Sequence, residues 1–238
     1  MNSTLEYFDF QASVYNEYQR NCVPRYEDTL GLCARFVSRA LREVNEPNIL
    51  DLGCGAGNVT AALRALLPNA RFTCLDGSPL MIDAAKEKTP SGEVDYVEAD
   101  LTVVGWDAPL PDCSYDAVVS LFVLEHLNED AYRRVLGAVG RVLKPGGWFV
   151  AAEGYEGKTN MDAYLEEMER LERSAVSRGI LAGDMLREIK NLSSEKETHY
   201  FFTMDQKKEW WREAGFDDVN SIWQYLCIGA VAGVRRDT

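Results

Sequence analysis

The chain has 238 residues, of which 46% are hydrophobic, and it carries a formal charge of −13. This composition is sufficient for one substantial core, and no segment approaches the ~20 consecutive apolar residues that a membrane span requires. A strongly acidic protein repels polyanions at long range, which disfavours nucleic acid as a partner. Residues 1–6 lack the basic start and apolar run of a secretory signal, and this indicates a cytoplasmic protein. The six cysteines include no Cys-x-x-Cys pair, so neither disulfides nor a metal site are indicated.

Predicted helices and strands alternate through the first 153 residues. Helices are predicted over 27–44, 58–67, 80–88 and 128–143, and strands over 48–52, 71–75, 94–98, 115–121 and 148–153. Ser78 and Pro79 provide an N-cap and a first helical residue for the third of these helices. Five strands alternating with helices predict a parallel sheet that is covered by helices.

The alternation ends after the fifth strand. Residues 154–202 show apolar side chains at helical spacing and no strand signals, which predicts an inserted helical cap. The clearest helical pattern consists of Met161, Tyr164, Leu165, Met168 and Leu171.

The last part of the chain predicts a helix and a hairpin. Thr203 and Gln206 form a capping box for a helix that continues to Ala214. Trp210 and Trp211 are neighbours on this helix, so we expect one to face the core and the other to contact the cap. Two β-rich runs, 219–225 and 227–234, are joined by a very short turn and must therefore pair antiparallel.

A glycine-rich loop follows the first predicted strand. It contains Gly53, Gly55 and Gly57. Residues without a Cβ atom allow backbone amides to approach a ligand at such a turn. The spacing G-x-G-x-G, with Asn58 at the sixth position, differs from the pyrophosphate-binding loop of dinucleotide folds. Asp51, just before the loop, favours a cationic ligand, and Asp76 at the end of the second strand supplies a carboxylate for a ribose.

These landmarks resemble the motifs of the class I, seven-stranded S-adenosylmethionine (SAM) methyltransferases. The resemblance covers residues 48–153 and returns from residue 214 through the hairpin. It implies an α/β, Rossmann-like three-layer sandwich with a mostly parallel sheet, a C-terminal antiparallel hairpin and a helical cap. SAM would be the cofactor and S-adenosylhomocysteine (SAH) the product.

The resemblance also implies the cofactor site. The glycine loop would lie against the amino acid half of SAM, Asp76 would accept the ribose hydroxyls, and Asp100 with the amide of Leu101 would hold the adenine. The full set expected at the cofactor is Tyr26, Asp51, Gly53, Cys54, Gly55, Gly57, Asp76, Gly77, Asp100, Leu101 and Leu121.

Both ends of the chain are similar to a narrower group, the carboxy-SAM synthases. The similar segments are 10–26 and 223–233, and the first of them would place Tyr26 near the amino acid end of the cofactor. This chain differs from the carboxy-SAM synthases at two positions whose polar side chains bind the extra carboxylate of the cofactor in those enzymes. Leu192 stands where its arginine is expected, with Lys190 and Lys196 out of register, and Leu121 replaces an asparagine. Burying an unpaired carboxylate costs several kcal/mol, so ordinary methyl transfer is favoured.

Four segments describe the expected organisation. They are an N-terminal helical lid (1–46), a SAM-binding core (47–153), a helical cap that binds the acceptor (154–202), and a C-terminal helix and hairpin that complete the core (203–238). The lid has aromatic residues at helical spacing, which either fold over the cofactor or pack on the core. These aromatic residues are Tyr7, Phe8, Phe10, Tyr15 and Tyr18.

The expected reaction is in-line methyl transfer to a small-molecule acceptor in a capped pocket. His126 follows the fourth strand and is the candidate general base, since an imidazole titrates near neutral pH. The acceptor pocket is expected to include Phe122, Tyr155, His199 and Tyr200, with His199 as a second candidate base.

Three other functions stay open at this point: carboxy-SAM synthesis, methylation of tRNA or protein, and SAM binding without catalysis. The sequence does not distinguish a monomer from a homodimer.

Overall fold

The computed structural model describes residues 14–89, 94–187 and 199–237, and a seven-stranded sheet forms their centre. The strands are β1 (Asn48–Leu52), β2 (Arg71–Asp76), β3 (Val94–Glu98), β4 (Tyr115–Leu121), β5 (Leu143–Gly154), β6 (Phe216–Tyr225) and β7 (Ile228–Arg235). The helices of the described ranges include α1 (Tyr15–Cys22), α2 (Tyr26–Ala40), α3 (Asn58–Leu66), α4 (Pro79–Lys88), α5 (Glu129–Val142), α6 (Lys158–Ser177) and α7 (Met204–Glu213). The expected α/β class is confirmed.

The strand order is β3-β2-β1-β4-β5-β7-β6. Strands β1 to β5 pair in parallel, whereas β7 is antiparallel to both β5 and β6. The predicted antiparallel hairpin is therefore confirmed. The chain proceeds outward from β1 through β2 to β3 and then crosses to β4 on the other side of β1. This reversal opens a crevice at the carboxyl ends of β1 and β4, where open α/β sheets bind their ligands.

Both faces of the sheet are buried. Leu50 and Val118 pack on one face, in a cluster that includes residues of α5 and α7. Ile49 and Val119 pack on the other face, with residues of α2 and α3. Burial on both sides explains why the central strands are almost continuously apolar.

The predicted helix caps are present. Ser78 Oγ accepts a hydrogen bond from Met81 N at 3.2 Å, with Pro79 at the first helical position of α4. At the start of α7, Gln206 N donates to Thr203 Oγ1 at 3.2 Å while Thr203 N donates to Gln206 Oε1 at 3.0 Å. These side chains satisfy backbone groups that a helix terminus leaves open.

Two boundaries differ from the predictions. Helix α2 ends at Ala40, four residues before the predicted end at Val44. Strand β5 begins at Leu143 instead of Trp148, because Leu143 pairs with Tyr115 before the register shifts. The segment that was expected only to stop α5 thus also begins the next strand.

The expectation that only one of the paired tryptophans is buried was wrong. Trp211 stacks on Phe149 with ring centroids 4.2 Å apart, and its Nε1 donates to Tyr132 Oη at 3.1 Å. Trp210 is also buried, and it packs edge-to-face with Phe202, with ring centroids 4.9 Å apart. Helix α7 is therefore covered on two sides, and Trp210 makes the expected contact with the 154–202 segment.

Helices α1 and α6 pack against each other. Tyr18 and Cys22 of α1 share an apolar cluster with Ala175 of α6 and with Leu181. Tyr18 Oη also donates to Glu172 Oε1 at 3.4 Å. The described part of the predicted lid and the long helix of the predicted cap thus form one helical layer.

Some predictions fall outside the described residues. They concern the lid aromatics Tyr7, Phe8 and Phe10, and the positions Lys190, Leu192 and Lys196. Within the described ranges, no helix combines the length and the apolar character needed to cross a bilayer.

Candidate active site

The glycine loop leaves β1 in a conformation that requires glycine. Gly53 has φ +73°, and a Cβ atom there would lie 2.5 Å from both Cγ atoms of Val123. Gly55 has φ +49°, and its Cβ would lie 3.3 Å from Tyr15 Cε1. A side chain at either position would be strained and would meet a neighbour. The loop is therefore enclosed between the turn after β4 and helix α1.

Asp51 lies behind this loop and is fully buried. Its Oδ2 accepts hydrogen bonds from Thr60 N (3.1 Å) and Thr60 Oγ1 (2.7 Å), which tie the end of β1 to the first turn of α3. Its Oδ1 has no hydrogen-bond partner among the described residues. Burial raises the pKa of this carboxyl to about 7, since a charge in the protein interior is disfavoured. A cation next to Asp51 would lower this pKa again, because it stabilises the charged carboxylate.

Asp76 joins the end of β2 to the glycine loop. Gly55 N donates to its Oδ2 at 2.8 Å, and Ser78 N donates to its Oδ1 at 2.9 Å. Asp100 follows β3, where its Oδ1 accepts from Thr102 N (2.9 Å) and Thr102 Oγ1 (2.7 Å). Backbone and hydroxyl donors thus orient both carboxylates at the same edge of the sheet.

A cleft opens at this edge and encloses about 630 Å³ of empty space, part of it open to solvent. Eight of the predicted site residues line it: Gly53, Gly55, Asp76, Gly77, Asp100, Leu101, Phe122 and His126. Tyr15, predicted as part of the lid, also lines the cleft. Among the described lining residues there is neither lysine nor arginine.

Four lining residues were not predicted: Met81, Thr102, Val123 and Leu127. Val123 and Leu127 flank His126 in the turn after β4, and Met81 lies in the first turn of α4, shortly after Asp76. All four are close in sequence to predicted site residues, and this closeness could have indicated them. Apolar side chains in such turns, however, follow no spacing that distinguishes a ligand contact from ordinary packing.

Several predicted residues lie beside the cleft and are not among those that line it. Tyr26 stacks on Phe122 with ring centroids 5.6 Å apart, and its Oη accepts from Asn58 Nδ2 at 2.7 Å. Burial raises the pKa of Tyr26 to about 12. Cys54 is buried in the loop, Gly57 caps α3, and Leu121 is buried in the apolar cluster beneath α2.

Phe122 has a strained backbone. Its φ is +57°, a left-handed conformation that costs a bulky residue about 1–3 kcal/mol, and its N–H donates to Ala152 O at 2.7 Å. The pairing with β5 holds this conformation. It turns the chain sharply at the end of β4 and brings the Phe122 side chain to the cleft.

Tyr155 lies in the core, next to a buried charge, and not with the residues that line the cleft. Its ring centroid is 5.0 Å from Nζ of Lys207, a residue of α7 that is 1% exposed. Lys207 forms an ion pair with Glu153 at the end of β5, and Tyr132 Oη donates to Glu153 Oε1 at 2.8 Å. No sequence pattern indicates this group, because its members are far apart in the chain.

A second buried carboxyl lies close to the same group. Glu125 is 5% exposed, and its Oε2 has no hydrogen-bond partner among the described residues. The pKa of Glu125 is raised to about 8, mainly by burial and to a smaller extent by repulsion from Glu153. The Glu125 side chain is therefore expected to be neutral at pH 7.

His199 and Tyr200 lie against the turn that carries His126. The rings of His199 and His126 have centroids 4.6 Å apart. Tyr200 N donates to Glu125 O at 2.6 Å, which fixes this segment to the turn. The structure thus brings His126 and His199 together, with His126 facing the cleft.

The donor set fits a cationic nucleoside such as SAM. Three carboxylates, of Asp51, Asp76 and Asp100, stand at the ends of β1, β2 and β3. The Oδ1 atom of Asp51 is a buried acceptor without a hydrogen-bond partner among the described residues. It lies close to the glycine loop, where Gly53 and Gly55 have no side chain that would keep a ligand away. A buried, unsatisfied carboxylate oxygen suits an ammonium group and does not suit a phosphate.

Comparison with known proteins agrees with this geometry. A family model described as a methyltransferase domain matches residues 49–147. A demethylmenaquinone methyltransferase from Clavibacter sepedonicus is 31% identical over 201 residues, which cover 82% of this chain and 75% of that protein. A carboxy-S-adenosyl-L-methionine synthase from Chromohalobacter salexigens is 28% identical over 251 residues, covering 96% of this chain and 83% of that protein.

The fold also matches solved structures. One is a complex between the Haloferax volcanii Trm112 methyltransferase activator and a methyltransferase, with a TM-score of 0.64 and 20% identity. The match covers 97% of this chain and 98% of that one. Taken with the extent of the match to the Clavibacter relative, these findings place the chain in a family: it belongs to the class I SAM-dependent methyltransferases.

Proposed function

We propose that this enzyme transfers the methyl group of SAM to a small-molecule acceptor that is bound beneath α1 and α6. The observation that carries this proposal is the position of Tyr15. Its ring lies over Gly55 and lines the cleft, while Tyr18 on the same helix packs against α6. A cleft covered in this way favours a small acceptor over a macromolecular one.

The proposed cofactor contacts follow the three strand ends. Asp76 would accept the ribose hydroxyls, and Asp100 with the Leu101 amide would hold the adenine. The loop Gly53–Gly57 would lie against the amino acid half, with Asp51 behind it as the acceptor for positive charge. The hydrogen bonds that orient Asp76 and Asp100 support these assignments.

When bound, SAM supplies a methyl group on a sulfonium, which is already activated. No nucleophile from the protein is required, so the residues of the cleft need to orient the acceptor and exclude water. Correct orientation alone lowers a barrier by about 7–11 kcal/mol. Phe122, Leu127 and Tyr15 provide apolar walls suited to both tasks.

Carboxy-SAM synthesis is the first alternative, since one relative carries that name. A carboxylated cofactor would bring a second carboxylate into the cleft, and the described lining residues provide no lysine or arginine to pair with it. Leu121, at the position of an asparagine in that group, is buried among apolar side chains. These observations favour SAM itself.

Methylation of tRNA is the second alternative, because other relatives are named tRNA methyltransferases. The charge of −13 opposes binding to a polyanion, and Asp76 and Asp100 place further negative charge at the cleft. A small acceptor remains the better fit.

The proposal is tested with SAM labelled in its methyl group. The purified protein is incubated with a small-molecule extract, with total RNA or with protein, and SAH formation is measured together with the destination of the label. We expect SAH only with the small-molecule extract. Label found only in RNA or protein would contradict the proposal, and no SAH with any of the three would indicate SAM binding without catalysis. Mass spectrometry of ligand retained through purification identifies a carboxylated cofactor if one is used.

A further inference from the structure

The chain has two histidines, and the structure brings them into contact. His126 and His199 are 73 residues apart in sequence, yet their ring centroids are 4.6 Å apart with an interplanar angle of 49°. His126 lines the cleft, and His199 lies behind it on the segment that precedes α7.

Backbone hydrogen bonds hold this contact in place. Tyr200 N donates to Glu125 O at 2.6 Å, and Glu156 N donates to Phe202 O at 2.9 Å. The residues around His199 are thus attached both to the turn after β4 and to the end of β5. The backbone that carries His199 is therefore held next to the turn that carries His126.

A third ring extends the pair. Phe201 stacks on His199 with centroids 5.5 Å apart and an interplanar angle of 18°. The Phe201 ring also lies against Gly154, where a Cβ atom would be only 2.6 Å from Phe201 Cε1. His199 is thus held between Phe201 and His126, and of the aromatic rings in this region Tyr15, Phe122 and His126 line the cleft itself.

Burial of the ring, and not charge, favours a neutral imidazole on His199. Burial of the ring lowers the pKa of His199, although the residue as a whole is exposed and water limits the size of this effect. Two adjacent imidazoles also resist double protonation. Asp76 and Asp100, which line the cleft together with His126, act in the opposite direction, because a carboxylate favours a protonated imidazole. A single proton entering the pair is therefore tolerated better than two.

Resting on the proposed methyl transfer, we propose that His126 is the base that removes the proton of an acceptor hydroxyl on a planar ring, and that His199 is its positioning residue. A base is useful only where the attacking atom of the acceptor carries a proton, and a hydroxyl of the phenol or enol type is acidic enough for an imidazole to remove that proton. The oxygen lone pair forms the new bond to the methyl carbon, and the electrons of the broken carbon–sulfur bond stay on sulfur, giving neutral SAH. The hydroxyl proton passes to an imidazole nitrogen of His126 and then to water.

The first test uses nitrogen-15 NMR of the imidazoles with SAH present. Because there are only two histidines, His126→Gln and His199→Gln assign both signals. We expect the His126 titration to change in His199→Gln, because the ring in contact with His126 is removed. Identical His126 titration in the wild type and in His199→Gln would overturn the pairing without any reference to activity.

The second test measures methyl transfer to hydroxynaphthalenes and hydroxyquinolines, with the corresponding amino compounds as comparison. We expect transfer to hydroxyl probes, a loss of kcat of about 10²–10⁴-fold in His126→Gln with SAH affinity retained, and a shifted acidic limb of the pH profile in His199→Gln. The exposed control Glu129→Gln is expected to match the wild type.

The outcomes separate this inference from the proposed function. Wild-type transfer to amino probes alone, or full kcat in His126→Gln, would overturn the inference and leave methyl transfer standing. No transfer to any hydroxyl probe would also overturn it. If the small-molecule extract still yields SAH in that case, the proposed function survives; if it yields none, both fail.

Discussion

The ring of Tyr15 lies over Gly55, at a distance where a Cβ atom on that glycine would be 3.3 Å from Tyr15 Cε1. The first described helix therefore closes the loop that follows β1. Since Tyr18 on the same helix packs against α6, the cover of the cleft is anchored on both the cofactor side and the proposed acceptor side.

Tyr15→Ala should open this cover. We expect SAH affinity to fall at least about tenfold, or about 1.4 kcal/mol, because the apolar wall over the loop is lost. Isothermal titration calorimetry measures the affinity. Tyr18→Phe is the control, since it removes only a hydroxyl that contacts Glu172 and should leave SAH affinity unchanged. Equal affinities in the wild type and Tyr15→Ala would show that the ring does not cover the ligand.

Lys207→Met should strongly destabilise the fold. It leaves Glu153 buried without its ion-pair partner, and breaking a buried pair costs about 3–5 kcal/mol. Lys208→Met is the matched control, because its partner Asp205 is 92% exposed and such pairs contribute less than about 1 kcal/mol. Urea unfolding gives both values. A Lys207→Met variant as stable as Lys208→Met would mean that the buried pair contributes nothing.

Glu125→Gln should gain stability relative to the wild type as pH rises. The pKa of Glu125 rises from 4.5 to about 8 on folding, so the unfolded chain loses this proton first. The free energy of unfolding of the wild type therefore falls between pH 5 and 8, by up to about 1.4 kcal/mol per pH unit from this group, and glutamine removes the effect. Thermal or urea unfolding at several pH values measures the difference. A pH dependence of this difference no larger than that of the exposed control Glu129→Gln would contradict a neutral Glu125.

Binding of SAH should release a fraction of a proton near pH 7. The ligand carries an ammonium group, and a nearby cation lowers the raised pKa of Asp51. Calorimetry in two buffers of different ionisation enthalpy detects the released proton. In Asp51→Asn the release should vanish. Equal binding enthalpies in both buffers for the wild type would contradict a protonated Asp51 close to the amino acid half of the ligand.

Local patterns predicted the strands, the caps and the glycine loop. Gly53 and Asp76 could be found because a strand end, a tight turn and an acidic residue occur at short, regular spacing. The helix cap at Ser78 and the capping box at Thr203 depend on neighbours within three residues.

Contacts between distant elements could not be predicted in this way. Lys207 resembles any solvated lysine of an amphipathic helix until β5 places Glu153 beside it. The contact between His126 and His199 has no sequence signature, because no spacing indicates that the segment before α7 returns to the turn after β4. The burial of both Trp210 and Trp211 likewise depends on how two other segments cover α7.

Calorimetric titration of SAH into the wild type, Asp76→Ala and Glu98→Ala tests the central claim most directly. Glu98 is an exposed carboxylate paired in register with Asp76 at the same sheet edge, so it matches the charge without lining the cleft. Circular dichroism verifies that each variant is folded. We predict saturable binding to the wild type and to Glu98→Ala, and affinity at least about tenfold weaker for Asp76→Ala. No saturable binding to the wild type, or equal affinity for Asp76→Ala, would contradict this account of the site.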